Sequence, residues 1–77
     1  MVEARIRCIG PDGKTLWRTS LYVASPPRVG ELFRCQPNRQ ADGLGEPARV
    51  VSVEWQIRRP EKRKHPEIVV VVVCEPV

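Results

Sequence analysis

The valine-rich segment near the end of the sequence limits the fold more than any other feature. Residues 67–76 contain five consecutive valines, with Ile68 before them and Cys74 after them. β-Branched side chains favour extended backbone, and an apolar run without polar alternation is typical of a strand that is covered on both faces. We therefore predict a strand over residues 68–74 that is buried on both sides.

Four further segments alternate apolar and polar residues with the period of a β-strand. They cover residues 2–8, about 15–24, 31 to about 36, and 51–58. The second segment breaks its alternation, which indicates a bulge, a strong bend or burial on both sides, and the pattern does not choose among them. In the fourth segment Val51 and Trp55 are expected on the same apolar face.

Turn-forming residues separate these segments. A tight turn is expected at residues 10–14, a proline corner at 25–30 and a long polar loop at 37–47. Five short strands joined in this way predict an all-β chain with little or no helix, forming a single small domain over residues 1–77. The expected architecture is a five-stranded antiparallel barrel or a curled meander.

The order of the segments resembles that of the small SH3-like barrels. A proline corner is followed by Val29-Gly30-Glu31, a strand, a loop, and then Val50-Val51-x-Val53-x-Trp55 before the last strand. This resemblance is one of pattern, and it implies a fold and no activity. An open meander that dimerises through the valine strand is the competing architecture.

The chain length and the cysteines bear on stability and location. A chain of 77 residues is close to the lower limit for a self-sufficient core, so we expect a marginal monomer or a homodimer. The charged N-terminal residues do not resemble a secretory signal, and the valine run is shorter than the roughly 20 residues that span a bilayer. Cys8, Cys35 and Cys74 fit neither a disulfide framework nor a zinc site, so we expect buried thiols in a cytoplasmic protein with no membrane partner.

The formal positive charge is concentrated in the connection before the valine strand. Residues 58–65 contain five basic side chains and one acidic one, a surplus equal to the whole formal net charge of +4. Such a segment could bind phosphates without reading sequence, or it could keep the edge of the sheet soluble. The five basic residues are Arg58, Arg59, Lys62, Arg63 and Lys64.

No catalytic constellation is evident, so we expect no enzyme, no cofactor and no metal. The single histidine, His65, lies in the basic connection and is expected at the surface. Asp42 and Glu46 share a glycine-containing loop, but two carboxylates are fewer ligands than a calcium site uses.

Two classes of binding function therefore remain. We favour a non-enzymatic module for protein–protein interaction or homo-oligomeric assembly, in which strand 68–74 adds to the sheet of another protein or of a second copy and Val69, Val71 and Val73 form the interface. The alternative is a nucleic-acid-associated protein that binds phosphates through residues 58–65, assisted by Arg34 and Arg49. An acidic protein as the target of the basic connection is a third hypothesis, which the sequence does not separate from the second.

Overall fold

A computed structural model describes residues 1–34, 45–59 and 65–77 of the chain. Within these ranges five strands form one sheet without a helix, which confirms the all-β prediction. No helix that could cross a membrane is therefore present in the described part. The strands are β1 (Val2–Ile9), β2 (Thr15–Val23), β3 (Leu32–Arg34), β4 (Pro47–Arg58) and β5 (Glu67–Pro76).

The valine strand β5 is the central strand of the sheet. The strand order is β2-β1-β5-β4-β3, so β5 has a hydrogen-bonded neighbour on each side. β5 runs antiparallel to β4 and parallel to β1, whereas the other two pairs are antiparallel. The prediction of a purely antiparallel sheet or meander is therefore wrong for the β1–β5 pair, because alternation encodes the buried face of a strand and not the direction of its neighbour.

The turn between β1 and β2 is closed by local hydrogen bonds. The Gly13 N–H donates to the Gly10 carbonyl at 2.9 Å, and the Gly10 N–H donates to the Lys14 carbonyl at 2.9 Å. The Asp12 carboxylate accepts a hydrogen bond from the Lys14 N–H at 3.1 Å. Gly13 has a φ of 80°, a conformation that a residue with a Cβ adopts at a cost, so glycine is required here.

Two β-bulges explain where the alternation of the sequence fails. Ile9 pairs with Thr15 and Cys8 pairs with Trp17, which leaves Leu16 as the extra residue of β2. The irregular second strand is therefore bulged. A second bulge leaves Val51 unpaired in β4, so that Val50 is the buried residue and Val51 is exposed, contrary to the predicted face of Val51.

The core lies on the concave face of the curled sheet. Side chains from β2 and β3, at opposite ends of the strand order, line one cavity of about 550 Å³ together with the proline corner, which shows that the sheet curls into a half-barrel. Cys8 and Cys74 are register partners across β1 and β5 and both are buried, as predicted, whereas Cys35 lies outside the described residues. The buried core consists of small and branched side chains: Ala4, Ile6, Cys8, Ala48, Val50, Val70, Val72 and Cys74.

The convex face of β5 is covered less completely than predicted. Val70 and Val72 are fully buried on the concave side, whereas Val69, Val71 and Val73 are half-buried on the convex side. No second layer of described residues packs on that face, and the side chains beside the three valines are mostly polar ones from β1 and β4. The predicted complete burial of both faces is therefore wrong for the convex side.

Candidate functional site

An exposed group of large apolar side chains lies at one end of the concave face. Trp55 and Ile57 of β4 and Ile68 of β5 retain 54%, 56% and 39% of their accessible surface. Trp55 is paired with Val70, and Ile57 is paired with Ile68, so the three side chains are close neighbours on one face. We call Trp55, Ile57 and Ile68 the apolar patch.

The strand register explains the exposure of Ile57 and Ile68, and Trp55 lies farther in, level with Ala4 of β1. Pairing between β1 and β5 begins at Glu3 and Val69, whereas pairing between β4 and β5 continues to Arg58 and Glu67. The end of the β4–β5 pair therefore extends beyond the paired part of β1. The proline corner approaches only the inner side of the patch, where Pro26, Pro27 and Val29 line a shallow depression of about 370 Å³ with Val53 and Trp55.

The outer backbone edge of β4 is open beside the same patch. β3 pairs only with residues 47–49 of β4. Farther along, the Gly30 N–H donates to the Val50 carbonyl at 2.9 Å, and the Val50 N–H donates to the Glu31 carbonyl at 3.0 Å. From Ser52 to Arg58 no strand among the described residues lies on that side. Unpaired N–H and C=O groups of this kind are a template for another strand.

Three arginines gather on the convex face of β1 and β2. Arg7 is directly opposite Arg18, and Arg5 is opposite Ser20 in the next pair on the same face. Arg5 forms a salt bridge of 2.9 Å with Glu3, whereas Arg7 and Arg18 have no acidic partner among the described residues. We call Arg5, Arg7 and Arg18 the arginine cluster.

The surroundings of the arginine cluster combine polar and apolar groups. A shallow depression of about 480 Å³ is lined by the three arginines, Ser20 and Val71, among others. Tyr22 lies farther along β2 on the same face, opposite Glu3, and 68% of its surface is exposed. Trp17 and Tyr22 lie on opposite faces of β2. Trp17 is half-buried against the core, and Tyr22 faces outward.

The structure locates only some of the basic residues predicted to bind phosphates. Arg58 ends β4 and Arg59 follows it, and both are exposed. Lys62, Arg63 and Lys64 lie outside the described residues. Of the two assisting arginines, Arg34 donates to the Gly45 carbonyl at 3.1 Å, and Arg49 is exposed opposite Glu75.

The predicted assembly route through β5 requires a correction. β5 has β1 on one side and β4 on the other, so strand 68–74 has no open edge to which a partner strand could add. Val69, Val71 and Val73 are half-buried on the convex face, and an interface made by their side chains stays a prediction.

No metal centre is formed by the described residues, where no three His, Cys, Asp or Glu side chains are grouped as ligands. His65 is exposed, as predicted. Asp42 lies outside the described residues, and Glu46 is exposed. The apolar patch and the arginine cluster are therefore the two surfaces with distinctive chemistry.

Sequence reasoning placed Trp55 on the apolar face of β4 but did not identify it as exposed. Alternation shows which side chains share a face, but coverage of that face depends on the relative ends of distant strands.

A comparison of the chain with protein-family models finds no match, and searches of curated proteins and of solved structures find none either.

Proposed function

We propose that this chain is a non-enzymatic assembly module that pairs with a second copy of itself through the outer edge of β4. The single observation that supports the proposal most strongly is that the open edge from Ser52 to Arg58 coincides with the exposed side chains of Trp55 and Ile57. An open edge supplies backbone hydrogen bonds, and an apolar face beside it supplies burial.

The sequence of β4 is self-complementary when two copies pair antiparallel about Trp55. In this register Trp55 faces its own copy, and Val53 faces Ile57 of the second copy, so the concave face of the junction is entirely apolar. On the convex face Glu54 faces Gln56 and is diagonal to Arg58 of the second copy. Neither Glu54 nor Arg58 has an ion-pair partner among the described residues, so the dimer would supply one to both.

Burial of apolar side chains at the β4 edge favours association. In the proposed register Trp55 and Ile57 lie at the junction, and covering these half-exposed side chains contributes about 1 kcal/mol each, or about 4 kcal/mol for two copies. Backbone hydrogen bonds add about 0.5–1.5 kcal/mol each.

Association also carries a cost, which sets the expected affinity. Loss of translational and rotational freedom opposes binding by about 4–15 kcal/mol. A dissociation constant in the micromolar range would correspond to a binding free energy of about −8 kcal/mol. We therefore expect a concentration-dependent monomer–dimer equilibrium.

The outer edge of β2 is less suited to self-pairing than that of β4. It contains the bulge at Leu16 and the cationic Arg18, both of which discourage edge pairing. Its concave residues Trp17, Leu21 and Val23 are already half-buried against the core. β4 has neither a bulge nor a proline between Ser52 and Arg58.

The proposal is tested by light scattering after size exclusion at several protein concentrations. Trp55→Lys places two like charges at the centre of the dimer and removes two central aromatic contacts. Because central tryptophans contribute about 2 kcal/mol or more each, we expect the dissociation constant to rise at least about 100-fold. Trp55 is more than half exposed, so the variant should fold.

Tyr22→Lys is the matched control, since Tyr22 is an exposed aromatic on the convex face of β2. It should leave the dissociation constant unchanged. The proposal fails if the wild-type chain remains monomeric at high concentration, or if both variants weaken the dimer equally.

A further inference from the structure

We propose that the arginine cluster and Tyr22 form a binding site for single-stranded nucleic acid on the convex face of β1 and β2. This site differs from the predicted basic connection at residues 58–65 and does not depend on the proposed dimer. It uses only described residues, and it lies on the opposite face of the sheet from the apolar patch.

The first argument is the charge of the facing pair Arg7 and Arg18. Like charges directly opposite each other on a sheet face destabilise the pairing, and neither arginine forms an ion pair with a described residue that would offset the repulsion. An anion between the two guanidinium groups would reverse the sign of that interaction. Guanidinium donors match phosphate oxygens in geometry, so a phosphate group is the anion that fits best.

The second argument is the linear arrangement of groups along β2. Arg18, Ser20 and Tyr22 alternate onto the same face and span roughly 13 Å at the ordinary rise of a strand. That length exceeds one phosphate spacing of a nucleic-acid strand, which is 3.4 Å along the axis even in the compact duplex, so the row can contact more than one nucleotide. A charged group, a hydroxyl and an exposed aromatic ring in one row can contact successive phosphates and one base.

The third argument distinguishes nucleic acid from a simple anion or an acidic peptide. Tyr22 is 68% exposed although its ring is apolar, and it lies beside the cluster and not in the core. An aromatic ring next to cationic side chains is the combination that binds unpaired bases by stacking. Glu3 is opposite Tyr22 and pairs with Arg5, so the phosphates are expected near Arg7 and Arg18 and the base over Tyr22.

The test measures fluorescence anisotropy of a labelled thymidine oligonucleotide of about 12 residues over a salt series from about 20 to 300 mM. The double variant Arg7→Ser/Arg18→Ser should lower the affinity at least about tenfold at low salt. Because each lost phosphate contact on a single strand contributes about 0.7 to the slope of log affinity against log salt, that slope should decrease by about 1.4. Tyr22→Leu should lower the affinity about tenfold and leave the salt slope unchanged.

Arg28→Ser is the matched control, because Arg28 is an exposed arginine of the proline corner, outside both the arginine cluster and the predicted basic connection. It should bind the oligonucleotide like the wild-type chain. Thermal unfolding checks the fold of each variant, and Arg7→Ser should be at least as stable as the wild-type chain because a like-charge pair is removed.

Three results would overturn the inference. The first is unchanged affinity in the Arg7→Ser/Arg18→Ser variant, and the second is an equal loss in Arg28→Ser. The third is displacement of the oligonucleotide by polyglutamate of matched charge with equal efficiency, which would identify a general anion surface. The Trp55→Lys substitution disrupts the proposed dimer and not this site, so the variant chain should bind the oligonucleotide with the wild-type affinity. The two proposals can therefore fail independently.

Discussion

Val71 and Val72 are adjacent residues of one type whose surroundings differ. Val72 is fully buried on the concave side, whereas Val71 is half-buried on the convex side. The contribution of each side chain to the stability of the fold is therefore expected to differ, although the sequence around them is almost uniform.

The same substitution at these two positions measures that difference. Val72→Thr buries a hydroxyl among apolar side chains and should lower the free energy of unfolding by about 1–3 kcal/mol. Val71→Thr leaves the hydroxyl accessible to water and should change it by less than about 0.5 kcal/mol. Urea denaturation of both variants provides the comparison. Equal losses would contradict the assigned faces of β5.

At the scale of elements, Cys8 of β1 and Cys74 of β5 report on the parallel pairing of the first and last strands. The two residues are register partners, and both are buried. In a Cys35→Ser background, both should resist a thiol reagent in the native chain and become reactive together as the chain unfolds. A colorimetric thiol assay across a urea titration measures this. Reaction of one thiol before global unfolding would indicate that β1 and β5 separate independently.

Most strands could be predicted from alternation, but their arrangement could not. The apolar positions of β1 and the strong β-branching of β5 determine extended backbone and a buried face. The bulges at Leu16 and Val51 could not be located, because one extra residue shifts the face of a strand without a distinct residue type. The parallel β1–β5 pair and the incomplete cover of β5 depend on contacts between the two ends of the chain.

The candidate surfaces were only partly predictable for the same reason. Arg7 and Arg18 are visible in the sequence as outward residues of separate strands, but their direct opposition depends on the register of β1 with β2. Trp55 is visible as a residue of the apolar face, but its exposure depends on how much of the concave side the proline corner covers. Each surface arises from the pairing of strands and not from a local motif.

At the scale of the whole molecule, the two proposed surfaces lie on opposite faces and toward opposite edges of the sheet. β4 would join two copies into one continuous sheet, and β2 would then be distant from the junction in each copy. The arginine clusters would remain accessible in the dimer. Assembly would therefore present two nucleic-acid sites on one particle and strengthen binding to a long single strand through multivalency.

Hydrogen exchange of the backbone amides at low and high protein concentration tests the central claim, which is self-pairing through the edge of β4. The amides on the outer edge of residues 52–58 should exchange more slowly at high concentration, because they gain hydrogen-bond partners from the second copy. The exchange rates of the β2 amides should not change. Protection that rises with concentration in β2 and not in β4 would contradict the account, as would exchange that is independent of concentration throughout the sheet.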